Sequence, residues 1–80
     1  MLAKEIDACN LNCPLPLLRT FAAFSELEEG EHVRVIADDP ATVKDMMAME
    51  KAVPNAVIIS QQAIGEFQLF EIRKQEADNE

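Results

Sequence analysis

Two segments with the pattern of β-strands, residues 4–8 and 32–37, enclose a helical pattern that begins at residue 14. A strand, a crossover helix and a second strand of the same sheet wind right-handed in nearly all proteins, and the two strands are then parallel. This unit places the helix over one face of the sheet. Residues that follow the first strand are therefore predicted at the same sheet edge as residues that follow the second.

The remaining sequence adds a second helix and a hairpin. A helical pattern spans residues 41–52, and strand patterns at 57–61 and 67–73 flank a turn around Gly65. The order βαβαββ predicts an α+β fold, a two-layer α/β sandwich with both helices on one face of a mixed four-stranded sheet. The uncovered face of that sheet is expected to be polar.

Acidic residues outnumber basic residues, and this balance narrows the partners that the chain can bind. Seven Lys and Arg residues oppose 15 Asp and Glu residues, which gives a formal net charge of −8. Such a surface repels nucleic-acid phosphates and anionic lipid headgroups. We therefore expect no direct nucleic-acid binding, no membrane association, and a monomer that forms transient complexes.

Eighty residues leave room for one hydrophobic core. We predict a single domain over residues 1–74 and a disordered acidic tail over 75–80. The first ten residues carry charges where a secretory signal would be apolar, so we expect a cytoplasmic protein.

We expect no metal and no cofactor, because two cysteines are too few for a zinc site. The acidic pair Asp38 and Asp39 is better explained as the N-cap and first-turn charge of the second helix.

Cys13 is the residue best placed for chemistry. It precedes Pro14 at the predicted start of the first helix, whose first turn accommodates Pro16, and Gly30 is expected to end that helix. Unpaired N–H groups at a helix N-terminus stabilise a thiolate, so the pKa of Cys13 is expected to lie below that of a free thiol. Such a thiolate can take up a sulfur atom, exchange disulfides or be oxidised. The residues alone leave equally open that Cys13 is a small buried apolar side chain.

The segment at residues 13–16, Cys-Pro-Leu-Pro, resembles the CPxP motif of the TusA/SirA family of small sulfur carrier proteins. The resemblance extends to Leu11 and to residues 36–42, Ile-Ala-Asp-Asp-Pro-Ala-Thr, at the family's usual spacing. It implies that Cys13 accepts sulfane sulfur from a cysteine desulfurase or a rhodanese and holds it as a persulfide. An acceptor protein would then receive the sulfur for tRNA thiolation, cofactor assembly or sulfur metabolism. Such a protein is a sulfurtransferase-type carrier rather than a self-sufficient enzyme.

Three residues near this motif are predicted to contact partner proteins. Leu15 would either belong to an apolar patch beside Cys13 or be shielded by the second helix, and Arg19 would add positive charge less than two helical turns away. Lys44 stands where the family typically has arginine and keeps the charge of that position. Asn10 stands where family members often have glycine, and because asparagine tolerates left-handed backbone, the loop is expected to be preserved.

Cys9 leaves an alternative function open. It lies four residues before Cys13 and can approach it across the loop, and the two thiols would then form a redox or regulatory module with Cys9 as the resolving thiol. The other interpretation makes Cys9 a strand-end residue that lies half in the core. A third hypothesis is a non-catalytic interaction domain whose cysteines take no part in its function.

Overall fold

The chain folds into a sheet of four strands with two helices, and the computed structural model describes residues 2–12 and 15–75. The strand order is β1-β2-β4-β3, with β1 parallel to β2 and the other neighbouring pairs antiparallel. The predicted α+β sandwich is confirmed. In the described part of the chain, neither helix is long and apolar enough to cross a membrane. The elements in chain order are β1 (Leu2–Ala8), α1 (Leu15–Ser25), β2 (His32–Ala37), α2 (Ala41–Ala52), β3 (Ala56–Ile64) and β4 (Phe67–Lys74).

The bounds of β2 and α2 are those that the sequence patterns predict. β3 continues to Ile64, so that the hairpin turn contains only Gly65 and Glu66, and Gly65 has a φ of 59°. A two-residue hairpin turn requires this left-handed backbone, which glycine adopts without strain. The sequence analysis assigns Gln75 to the tail. In the structure, its N–H donates to the Asn55 carbonyl at 2.9 Å. Residues 76–80 of the predicted tail lie outside the described residues.

Side chains on one face of the two central strands form the core. Successive residues of a strand point to opposite faces, so alternate positions of β2 and β4 turn toward the helices. Phe24 of α1 and Met46 of α2 pack on this row and are 3% and 0% exposed. The row consists of five side chains that are at most 1% exposed: Val33, Val35, Ala37, Phe70 and Ile72.

α1 ends at Ser25, so the prediction that it continues to a cap at Gly30 is wrong. Four of the six residues at 26–31 are glutamates, and negative side chains are unfavourable at a helix C-terminus, where the helix dipole is also negative. The chain turns there instead, and Gly30 has a φ of 89°. The Gly30 N–H donates to the Lys74 carbonyl at 2.7 Å. Gly30 thus leads the chain into the sheet rather than ending the helix.

The sheet face away from the helices has a charged part and an apolar part. Arg34 donates to Glu71 at 3.1 Å and to Glu5 at 2.9 Å, and these ion pairs join β1, β2 and β4. Toward the C-terminal ends of β1 and β2, the paired residues Ile36 and Leu69 occupy the same face. The expectation of a polar face is therefore wrong for this end of the sheet.

Replacing Phe70 with alanine should lower the free energy of unfolding by about 3–5 kcal/mol, because the residue is fully buried and its removal leaves a cavity. Phe67→Ala is the matched control, since Phe67 lies on the same strand and is 43% exposed. Its loss should be below about 1 kcal/mol. Urea unfolding of both variants measures the difference. Equal losses would contradict the assignment of the core to the helix-facing row.

Candidate functional site

The loop that leads to Cys13 lies beside the loop between β2 and α2. The parallel strands β1 and β2 end as a pair, with Ala8 opposite Ala37. Residues 9–12 and 38–42 therefore lie together at the end of the sheet where β1 and β2 terminate. We call this region the site edge. Leu11 anchors the first of these loops, because its N–H donates to the Ala8 carbonyl at 3.3 Å and its side chain packs against the core.

Asp38 joins the two loops of the site edge. Both of its carboxylate oxygens accept the backbone N–H of Asn10, at 3.0 and 3.1 Å, across 28 residues of sequence. Asn10 has a φ of 67°, which confirms the left-handed backbone that its residue type predicts. A hydrogen bond to a charged group is stronger than one between neutral groups, so this contact holds the loop conformation. The sequence analysis missed this role of Asp38.

The first turn of α2 is capped by Asp39. Its Oδ1 accepts the Ala41 N–H at 3.0 Å, and its carbonyl accepts the Thr42 N–H at 2.9 Å. Pro40 lies between them and already has helical backbone angles, φ −58° and ψ −25°. The predicted acidic cap is therefore confirmed for Asp39, and it is wrong for Asp38.

Cys13 and Pro14 lie outside the described residues, and the structure describes the chain on both sides of them. The Leu15 N–H donates to the Asn12 carbonyl at 2.8 Å, so the two flanking segments are in direct contact. Pro16 is buried as the second residue of α1, the position in the first turn that the sequence predicts for it. Because α1 begins at Leu15, the positive end of its dipole is two residues from Cys13 in sequence.

The predicted partner contacts Leu15, Arg19 and Lys44 are all exposed, and they lie on two helices. Leu15 and Arg19 are four residues apart in α1 and therefore share one face of that helix. Lys44 lies in the first turn of α2. Their contacts with partner proteins stay predictions.

The surroundings of Cys9 favour its protonated thiol. Cys9 is half-buried directly after β1, as expected for a strand-end residue, and its N–H donates to Asp7 Oδ1 at 3.1 Å. Partial burial raises the pKa of the Cys9 thiol, and hydrogen bonding to Asp7 and the negative charges of Asp7 and Asp38 raise it further. Thiol–disulfide exchange proceeds through the thiolate, so these neighbours disfavour Cys9 as a resolving thiol.

Comparison with known proteins identifies the family. The model of the family described as sulfurtransferase TusA matches residues 4–74. The chain belongs to the TusA family. A sulfur carrier protein TusA of Allochromatium vinosum is 41% identical over 71 residues, which are 89% of this chain and 92% of the relative. A putative sulfur carrier protein of Archaeoglobus fulgidus is 40% identical over 48 residues, 60% of this chain and 62% of the relative.

The TusA match confirms the resemblance carried by residues 13–16 and 36–42. The chain is a sulfur carrier of the TusA family, and such carriers pass sulfur to partner proteins. In this TusA-family chain, residues 38–42 of the second segment lie in the site edge. The first segment, residues 13–16, follows directly after residues 9–12 of the site edge.

Replacing Asp38 with alanine should lower the free energy of unfolding by about 1–3 kcal/mol, because the Asn10 N–H loses its acceptor. Asp38→Asn keeps an acceptor oxygen and should lose less. Glu66→Ala, which removes an exposed carboxylate at the hairpin turn, should change stability by less than about 0.5 kcal/mol. Urea unfolding, with hydrogen exchange of the Asn10 amide, measures these effects. Unchanged exchange of that amide in Asp38→Ala would contradict the role given to Asp38.

Proposed function

We propose that the chain carries sulfane sulfur as a persulfide on Cys13 and relays it to a partner protein. One observation above all supports this within the TusA family: α1 begins at Leu15, so Cys13 is two residues in sequence from a helix N-terminus. The N–H groups of a first helical turn lack partners within the helix and favour a thiolate nearby. The first turn of α1 contains no acidic side chain that would offset this effect.

Loading is a thiolate exchange in the proposed mechanism. The Cys13 thiolate attacks the terminal sulfur of a donor persulfide, and a bond forms between Cys13 Sγ and that sulfur. The donor's S–S bond breaks, and the donor cysteine leaves as a thiolate with the electron pair of that bond. The proton on the transferred sulfur stays with it. Delivery repeats the exchange, with an acceptor thiolate attacking the terminal sulfur on Cys13, and neither step requires an oxidant or a reductant.

The donor in this proposal is a cysteine desulfurase or a rhodanese, and the acceptor is a protein of tRNA thiolation, cofactor assembly or sulfur metabolism. We place the relay in the cytoplasm, where reductants keep Cys13 from forming a disulfide. The redox alternative requires Cys9 as well, and partial burial together with Asp7 and Asp38 raises the pKa of that thiol.

Intact mass spectrometry tests the proposal. The reduced protein is incubated with a cysteine desulfurase and cysteine, or with a rhodanese and thiosulfate. Wild type and Cys9→Ser should each gain one sulfur atom that dithiothreitol removes, and Cys13→Ser should gain none, because only Cys13 carries the sulfur.

Uptake that requires both cysteines would favour the redox module instead. Uptake by Cys13→Ser would contradict the assignment of the carrier to Cys13. No uptake by the wild type from either donor would favour the interaction domain, whose binding would survive loss of the thiol.

A further inference from the structure

The apolar part of the open sheet face continues to the end of the β3–β4 hairpin. Phe67 and Leu69 occupy alternate positions of β4 and therefore point to the same face. Ile36 pairs with Leu69 and Ile64 pairs with Phe67, so all four side chains share that face. Ile64 is 57% exposed and Phe67 is 43% exposed. We call these four residues the tip patch.

The tip patch lies at the same end of the sheet as the site edge. The last residue of β2, Ala37, pairs with Gln68, so Phe67 and Ile64 extend one cross-strand pair beyond β2. In the sheet order, β4 lies two strands from β1 and β3 lies three strands away. At about 4.8 Å between strands, the tip-patch residues on β4 and β3 are about 10–15 Å across the sheet from the end of β1. A partner that covers about 800 Å² of this protein reaches both.

Acidic residues lie at the same end of the sheet as the tip patch. The end of β1, the two loops and the turn at this end of the sheet, residues 7–12, 38–40 and 65–66, contain four acidic residues and no basic residue. A second copy of a chain with net charge −8 would bring like charges together here, whereas a basic surface would be attracted. We call these four residues the acidic rim: Asp7, Asp38, Asp39 and Glu66.

We propose that the tip patch and the acidic rim dock the protein that donates sulfur to Cys13, and that this donor presents an apolar cleft ringed by basic side chains. This inference rests on the proposed function. The donor cysteine leaves as a thiolate anion when its sulfur is transferred, and nearby basic side chains stabilise that charge. The same side chains would meet the acidic rim and steer association. The apolar tip patch supplies the buried contact that a stable complex needs.

The rate of sulfur loading at limiting protein concentration tests the inference. The donor is a cysteine desulfurase supplied with cysteine and, in parallel, a rhodanese supplied with thiosulfate. The double variant Ile64→Ser/Phe67→Ser should lose about tenfold or more in kcat/KM, mainly through KM, because two exposed anchors are removed. Glu66→Lys should slow loading, and the wild-type rate should fall as ionic strength rises.

Two controls separate docking from chemistry. Phe21→Ser removes an aromatic side chain that is 49% exposed on α1, away from the tip patch, and should load at the wild-type rate. Inorganic polysulfide loads Cys13 without a protein donor, because the thiolate takes one sulfur atom and the shortened polysulfide leaves as an anion. Every variant should load from polysulfide as the wild type does, because this donor needs no docking surface.

Several outcomes would overturn the inference while the proposed function stands. These are wild-type loading of the Ile64→Ser/Phe67→Ser variant by the protein donors, or an equal loss in Phe21→Ser. A dimer in sedimentation experiments that Phe67→Ser dissociates would assign the tip patch to a second copy instead. Failure of the wild type to take up sulfur even from polysulfide would overturn the proposed function itself.

Discussion

The parallel pairing of β1 with β2 is the constraint on which the site depends. Parallel neighbours end at the same edge of a sheet, so α1 has to return along the sheet before β2 begins. With Ala8 opposite Ala37, the chain leaving β1 meets the chain leaving β2. The hydrogen bonds from Asn10 to Asp38 then join the two loops directly before the position of Cys13. Without this pairing, the two family segments would have no common edge.

Electrostatics separates the roles of two cysteines that are only four residues apart in sequence. Cys9 lies beside Asp7 and Asp38, and partial burial together with these carboxylates raises the pKa of its thiol. Cys13 precedes α1, whose first turn contains no acidic side chain. In the proposed mechanism, only Cys13 is activated toward sulfur. Asp7 and Asp38 also belong to the acidic rim of the proposed docking surface, and Asp38 in addition holds the loop through the Asn10 N–H.

Local sequence patterns predicted the features that depend on neighbouring residues. Contacts between residues far apart in the sequence were missed. Alternation and helical spacing predicted the βαβαββ order and the bounds of β2 and α2. Gly30 is a typical helix-end signal, yet the glutamates of residues 26–31 end α1 earlier. The role of Asp38 depends on a residue 28 positions away, which no local pattern reveals. The apolar tip patch was also missed, because alternation along one strand does not tell which face the helices leave open.

Cyanolysis tests the central claim most directly, because cyanide removes sulfane sulfur as thiocyanate and leaves the thiol behind. The protein is loaded by a sulfur donor, separated from it, treated with cyanide and assayed for thiocyanate. The account predicts one equivalent of thiocyanate per chain from wild type and from Cys9→Ser, and none from Cys13→Ser. Equal release from Cys13→Ser, or none from the loaded wild type, would contradict the claim that Cys13 carries transferable sulfur.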